Sequence, residues 1–149
     1  MVYVDTSVIM KLYIREELSR EASDWLRKND EAIPLTPFHD LEFTNAVNLK
    51  LFRKEMTAAE AGIVFEKFNE HELEGIYHRP SINWPDVFLR GVNLSKVHTP
   101  GIGSRSLDIV HVALALSMGA NRFFTFDARQ SRLALAGGLR VECDGIGTI

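Results

Sequence analysis

Four carboxylates, Asp5, Glu42, Asp108 and Asp127, stand where an α/β protein can gather them. Asp5 directly follows the apolar run Val2-Tyr3-Val4, and Asp127 directly follows Phe123-Phe124-Thr125-Phe126. If both runs are parallel strands of one sheet, both side chains emerge at its C-terminal edge, where α/β proteins bind their ligands. Asp108 lies in the first turn of the most apolar helix in the chain, among Leu107, Ile109, Val110, Val112, Ala113 and Leu114. Glu42 lies near the start of an earlier helix, two residues beyond Asp40, and only one of that pair can face the same edge. Converging acids repel one another unless a counter-charge is present. A hard divalent cation such as magnesium supplies that charge through oxygen ligands. Such a site orients a water for attack on phosphorus and stabilises the departing oxygen, so the chemistry implied is phosphodiester hydrolysis.

Taken singly, each acid also has a structural explanation. Aspartates commonly cap helices, which accounts for Asp5 and Asp127 as well as chemistry does. A helix dipole favours a carboxylate at the position of Asp108 by about 0.5 kcal/mol. A buried carboxylate is costly without a cationic partner, and either Arg105 or a metal ion can be that partner. For Glu42 and Asp40, a solvated first helical turn is the ordinary state. The case for a site rests on their coincidence.

The elements needed to position these residues alternate along the chain. Residues 1–4 read as a strand, followed by a helix capped by Thr6 or Ser7. Leu18, Ala22, Trp25 and Leu26 mark a second helix closing near Asn29, and residues 32–36 a second strand. Pro37 opens a third helix whose predicted inner face is Leu41, Thr44, Ala46, Val47, Asn48 and Leu51. Thr57 and Glu60 form a capping box for a fourth, ending before Gly75. Residues 82–97 read as a helix with Pro85 in its first turn, and 99–106 as a loop. Ser106 is the expected cap of helix 107–118, with Gly119 as its stop. Residues 122–126 are an expected strand, 128–136 a helix, and 139–143 a last strand that includes Cys143. Alternation of this kind implies a single α/β domain over residues 1–149, with a parallel sheet between helix layers.

Bulk properties exclude several classes. With 149 residues, 46% hydrophobic and 25% charged, the composition is that of a globular domain rather than a disordered chain. A net charge of -3 argues against a non-specific electrostatic binder of nucleic acid, although a metal-bridged acidic site escapes that objection. One cysteine permits neither an intramolecular disulfide nor a thiolate zinc site. No apolar run approaches the ~20 residues that cross a bilayer, and no leader is evident, so a soluble, cytoplasmic protein is expected. His39, His71, His78 and His98 fit no metal spacing, and His111, among Val110, Val112 and Ala113, reads as a core or interface residue. A phosphatase of the Asp-x-Asp type is disfavoured because Thr6 and Ser7 follow Asp5. Histidine-based ribonuclease chemistry lacks a histidine pair.

Read together, Val4-Asp5-Thr6-Ser7, Leu41-Glu42, Arg105-Ser106-Leu107-Asp108-Ile109-Val110-His111-Val112-Ala113 and Phe124-Thr125-Phe126-Asp127-Ala128-Arg129-Gln130 resemble the PIN-domain nucleases. The resemblance is closest to the VapC-type toxins of type II toxin–antitoxin pairs, and its third stretch is the most specific. It implies a three-layer α/β/α fold and a magnesium- or manganese-dependent endoribonuclease. It also implies a homodimer, and an antitoxin whose peptide blocks the acidic cleft. Carried over by residue, Asp5 and Asp108 are the strongest metal ligands, and Glu42 and Asp127 complete the set directly or through water. Thr6, Ser7 and Asn45 would support those ligands from behind. Arg105 and Arg129, nearest the acids, are candidates for substrate contact or for pairing with the cluster. The alternative is a catalytically silent PIN-fold module that binds RNA or a partner without cutting.

Overall fold

The computed structural model describes residues 1–142, so the predicted strand end at Cys143 lies outside the described residues. In chain order the elements are β1 (Val2–Val4), α1 (Thr6–Tyr13), α2 (Ser19–Lys28), β2 (Ile33–Pro34), α3 (Pro37–Phe52) and α4 (Ala58–Leu73). They continue with β3 (Tyr77–His78), α5 (Trp84–Ile102), α6 (Ser106–Ser117), β4 (Arg122–Phe124), α7 (Ala128–Ala136) and β5 (Arg140–Glu142). These form two compact units, Met1–Ser7 with Ser81–Ile149, and Val8–Pro80.

In the first unit β1, β4 and β5 form a parallel sheet in the order β1-β4-β5, with Tyr3 opposite Phe123 and Val4 opposite Phe124. Val2, Tyr3, Val4, Phe123 and Phe124 are all fully buried, which explains why these strands read as unbroken apolar runs rather than alternating ones. Helix α6 buries Ile109, Val112, Ala113, Leu114 and Ala115 and packs against α5 and α7. The α5 contact is close at Gly91, where an added Cβ would stand 3.5 Å from Ile109 Cγ2.

The second unit pairs β2 with β3 in parallel, Ile33 opposite Tyr77, and is otherwise helical. Strand β3 is not evident in the sequence because two residues are too few to display a period. The capping box of Thr57 and Glu60 forms as expected. The inner face of α3 does so only at Val47. His39, Phe43 and Val47 are the buried residues, while Leu41 is 66% exposed and Thr44 and Asn48 face solvent. The helix start sets this register. Thr36 caps α3, the His39 amide donating to Thr36 Oγ1 at 3.4 Å, and burying His39 brings Phe43 and Val47 inward at four-residue steps. Phe43 stacks on Phe68 with ring centroids 4.2 Å apart and meets Tyr13 edge-on at 5.5 Å. Phe43→Ala should therefore lower the free energy of unfolding by about 3–5 kcal/mol in a urea titration. A loss under about 1 kcal/mol would show that Phe43 is not central to this core.

Two helix boundaries also differ from expectation. Helix α5 runs through the predicted loop to Ile102, with Pro100 in its last turn. There the missing amide costs one hydrogen bond close to an end already due to fray. Gly103, at φ 72°, closes the helix with its amide donating to the Thr99 carbonyl at 2.8 Å. Arg105 rather than Ser106 is the N-cap of α6, with no side-chain cap bond. At the other end Gly119 takes φ 71°, the stop the sequence predicts. Among the described residues no helix is long and apolar enough to cross a membrane.

Candidate active site

Strand β1 delivers Asp5 to the sheet edge, and the ladder continues one residue beyond it, the Asp5 amide donating to the Phe124 carbonyl at 3.0 Å. Because α1 begins at Thr6, Asp5 itself flanks the helix start, in place of the predicted caps Thr6 or Ser7. Its carboxylate is only 6% exposed, a costly placement without donors. Ser7 Oγ donates to Oδ2 at 2.5 Å and Thr125 Oγ1 donates to Oδ2 at 3.2 Å. The Ser7 amide lies 3.4 Å from Oδ1, and so does His111 Nε2. Thr6 is buried, with Oγ1 3.5 Å from the same ring nitrogen.

Asp127 is the N-cap of α7, and the structural explanation of it holds for one oxygen. Its Oδ1 accepts from the Arg129 and Gln130 amides at 2.8 and 2.9 Å. Its own amide donates to Thr125 Oγ1 at 3.0 Å. Thr125 thus ties Asp5 to Asp127. Nothing in its residue type marks Thr125 for this role, but the register does. With Tyr3 opposite Phe123, the next residues on the same face are Asp5 and Thr125.

The Oδ2 of Asp127 lies 3.5 Å from Arg105 Nη2, and Arg105 Nε donates to Asp108 Oδ2 at 3.0 Å. One guanidinium is therefore shared by two carboxylates. Asp108, first, and then Asp127 hold Arg105 still more firmly in its charged form. Its side chain is 65% exposed, so this ion pair is solvated and open to exchange. Asp5, Thr125, Asp127, Arg105 and Asp108 form one continuous polar chain.

Glu42 and Asn45 belong to the second unit, on α3, where Glu42 is half-buried and Asn45 exposed. Their neighbour Asp40 is engaged by Arg79, whose Nη1 donates to Asp40 Oδ2 at 2.5 Å while its Nε donates to Glu72 at 2.8 Å. Of the two acids that compete in sequence, Asp40 is thus committed to a surface network. Arg129 is exposed in the first turn of α7.

Among the described residues no three His, Cys, Asp or Glu side chains already stand close enough to hold a metal ion. The donor set nonetheless suits a hard dication: it is made of carboxylate oxygens, and two of them already share a cation. Arg105 is the cation that Asp108 and Asp127 share. Arg105→Gln should therefore bind Mn2+ roughly 3- to 10-fold more tightly, measured by electron paramagnetic resonance titration. Unchanged affinity would show that the guanidinium does not compete for the acids.

A parallel sheet whose strand ends carry acids, backed by an apolar helix carrying a third, defines the class of this protein. The chain belongs to the PIN domain family, which its residues 2–135 match and whose members are generally nucleases. The PIN fold is the three-layer α/β/α class that the sequence predicts. Among solved structures it is similar to FitAcB from Neisseria gonorrhoeae, with a TM-score of 0.68 over 95% of this chain and 96% of that one. At 19% identity that likeness is one of fold. No curated protein matches the chain in sequence.

Proposed function

We propose that this chain is a cytoplasmic magnesium-dependent endoribonuclease, manganese being able to substitute, and the toxin of a toxin–antitoxin pair that works as a homodimer. The observation that carries this reading is the polar chain joining Asp5, Asp127 and Asp108 in a PIN domain. Asp5 and Asp108 hold the metal, and Glu42 and Asp127 complete the set directly or through water. The bound ion supplies a polarised phosphate and an activated water.

The remaining work falls to the chain itself. Ser7 and Thr125 fix Asp5 by two hydroxyl hydrogen bonds, and Thr6 lies behind it. The first amides of α7 pin Oδ1 of Asp127, which leaves Oδ2 for the site. Asn45, on the exposed face of α3 beside Glu42, orients a water. Arg105, once released from the acids, and Arg129 hold the phosphates on either side of the scissile bond. The antitoxin acts by laying a peptide over the same acids. Cleft shape and basic residues, rather than net charge, select the RNA.

One observation favours the alternative of a silent binding module: Arg105 already neutralises Asp108 and Asp127. Incubating the purified chain with RNA or DNA and Mg2+ decides between them. The expected result is internal cleavage of RNA with DNA spared. RNA left intact would point to the module, and equal cleavage of both would overturn the ribonuclease assignment.

A further inference from the structure

His111 has both ring nitrogens beside polar groups in the interior, where it is only 2% exposed. Its Nδ1 lies 2.7 Å from the hydroxyl of Tyr3, itself fully buried. Its Nε2 lies at an ion-pair distance of 3.4 Å from Asp5 Oδ1 and 3.5 Å from Thr6 Oγ1. Tyr3 stands two residues before Asp5 on β1, and His111 three residues after Asp108 on α6, so each shares a face with one of the acids.

We propose that Tyr3 and His111 form a buried positioning relay that fixes the orientation of the Asp5 carboxylate. The inference rests on the metal-site reading above. The carboxylate chooses the tautomer. A proton on Nε2 is attracted by Asp5 Oδ1, whereas a lone pair there would face a negative oxygen. With Nε2 protonated, Nδ1 is an acceptor, and the Tyr3 hydroxyl donates to it. The order is Tyr3 hydroxyl to Nδ1, then Nε2–H to Asp5. Such a polar contact from behind orients an acid that would grip a metal.

Packing alone does not account for the pair. Tyr3 stacks on Phe123 at 5.4 Å and meets the His111 ring edge-on at 5.7 Å, contacts that a phenylalanine and a leucine would largely reproduce. Those residues would do so without burying a hydroxyl and an imidazole, a cost that a purely structural pair has no reason to carry.

Two-bond proton–nitrogen NMR of the 15N-labelled, metal-free chain should show His111 as the Nε2–H tautomer. Tyr3→Phe should weaken Mn2+ binding about 10-fold. The kcat for RNA should fall while KM holds. His111→Gln, whose amide nitrogen can take the place of Nε2, should retain more Mn2+ affinity than His111→Leu. An Nδ1–H tautomer in the wild-type chain would overturn the relay. So would a Tyr3→Phe variant that lowers Tm but leaves Mn2+ affinity unchanged. Mn2+ binding abolished by Asp108→Asn yet untouched by Tyr3→Phe would sink the relay alone. A wild-type chain that binds no Mn2+ would sink the metal reading, and the purpose of the relay with it.

Discussion

Excess chelator should abolish RNA cleavage by the wild-type chain, by about 10³-fold or more, and added Mg2+ or Mn2+ should restore it. The size of the effect follows from how little catalytic equipment is left without an ion. The site offers carboxylates, hydroxyls and two arginines, none of which generates a strong nucleophile from water near neutral pH. Among the described histidines, the one near the acids, His111, is buried and faces Asp5 and Tyr3 rather than solvent. It is poorly placed as a general base toward a substrate. Rates of fragment release should be followed at matched ionic strength, because phosphate contacts are themselves sensitive to salt. Cleavage that persists in excess chelator would place the chemistry on side chains alone and contradict this account.

Asp108→Asn should lose activity by about 10²- to 10³-fold while the chain unfolds at nearly the wild-type temperature. The side chain is 15% exposed and pairs with the solvated Arg105, so its charge contributes little to the fold. The amide keeps the size of the carboxylate and removes the metal ligand. Asp5→Asn should lose as much activity but is a less clean variant. Its carboxylate is buried and accepts hydroxyl hydrogen bonds from Ser7 and Thr125, so some stability should go with it. Cleavage by either variant at the wild-type rate with Mg2+ would remove that residue from the metal set. Two variants that simply unfold, seen as a lost melting transition, would reassign both acids to structure.

Much of the first unit was legible because its signals are local and concordant. Strands buried on both faces leave unbroken apolar runs, and each run ends at an acid where the chain turns into a helix. Helix α6 announces itself by composition and stops at Gly119. What escaped was set by register and by tertiary contact. Thr125 becomes a tie between Asp5 and Asp127 only through its position opposite Asp5. His111 becomes more than a core residue only once Tyr3 lies 2.7 Å away. The face of α3 is not legible from apolar positions alone, because the Thr36 cap turns Phe43 inward and Leu41 outward. Pro100 and the flanking glycines suggested a loop where the last turn of α5 absorbs them.

The most direct test is an anomalous difference map from crystals of the chain soaked in Mn2+. The account predicts one strong peak beside the carboxylates of Asp5 and Asp108, with the Arg105 guanidinium moved off Asp108. A peak away from both aspartates, or none at saturating Mn2+ with Arg105 still seated on Asp108 and Asp127, would contradict it.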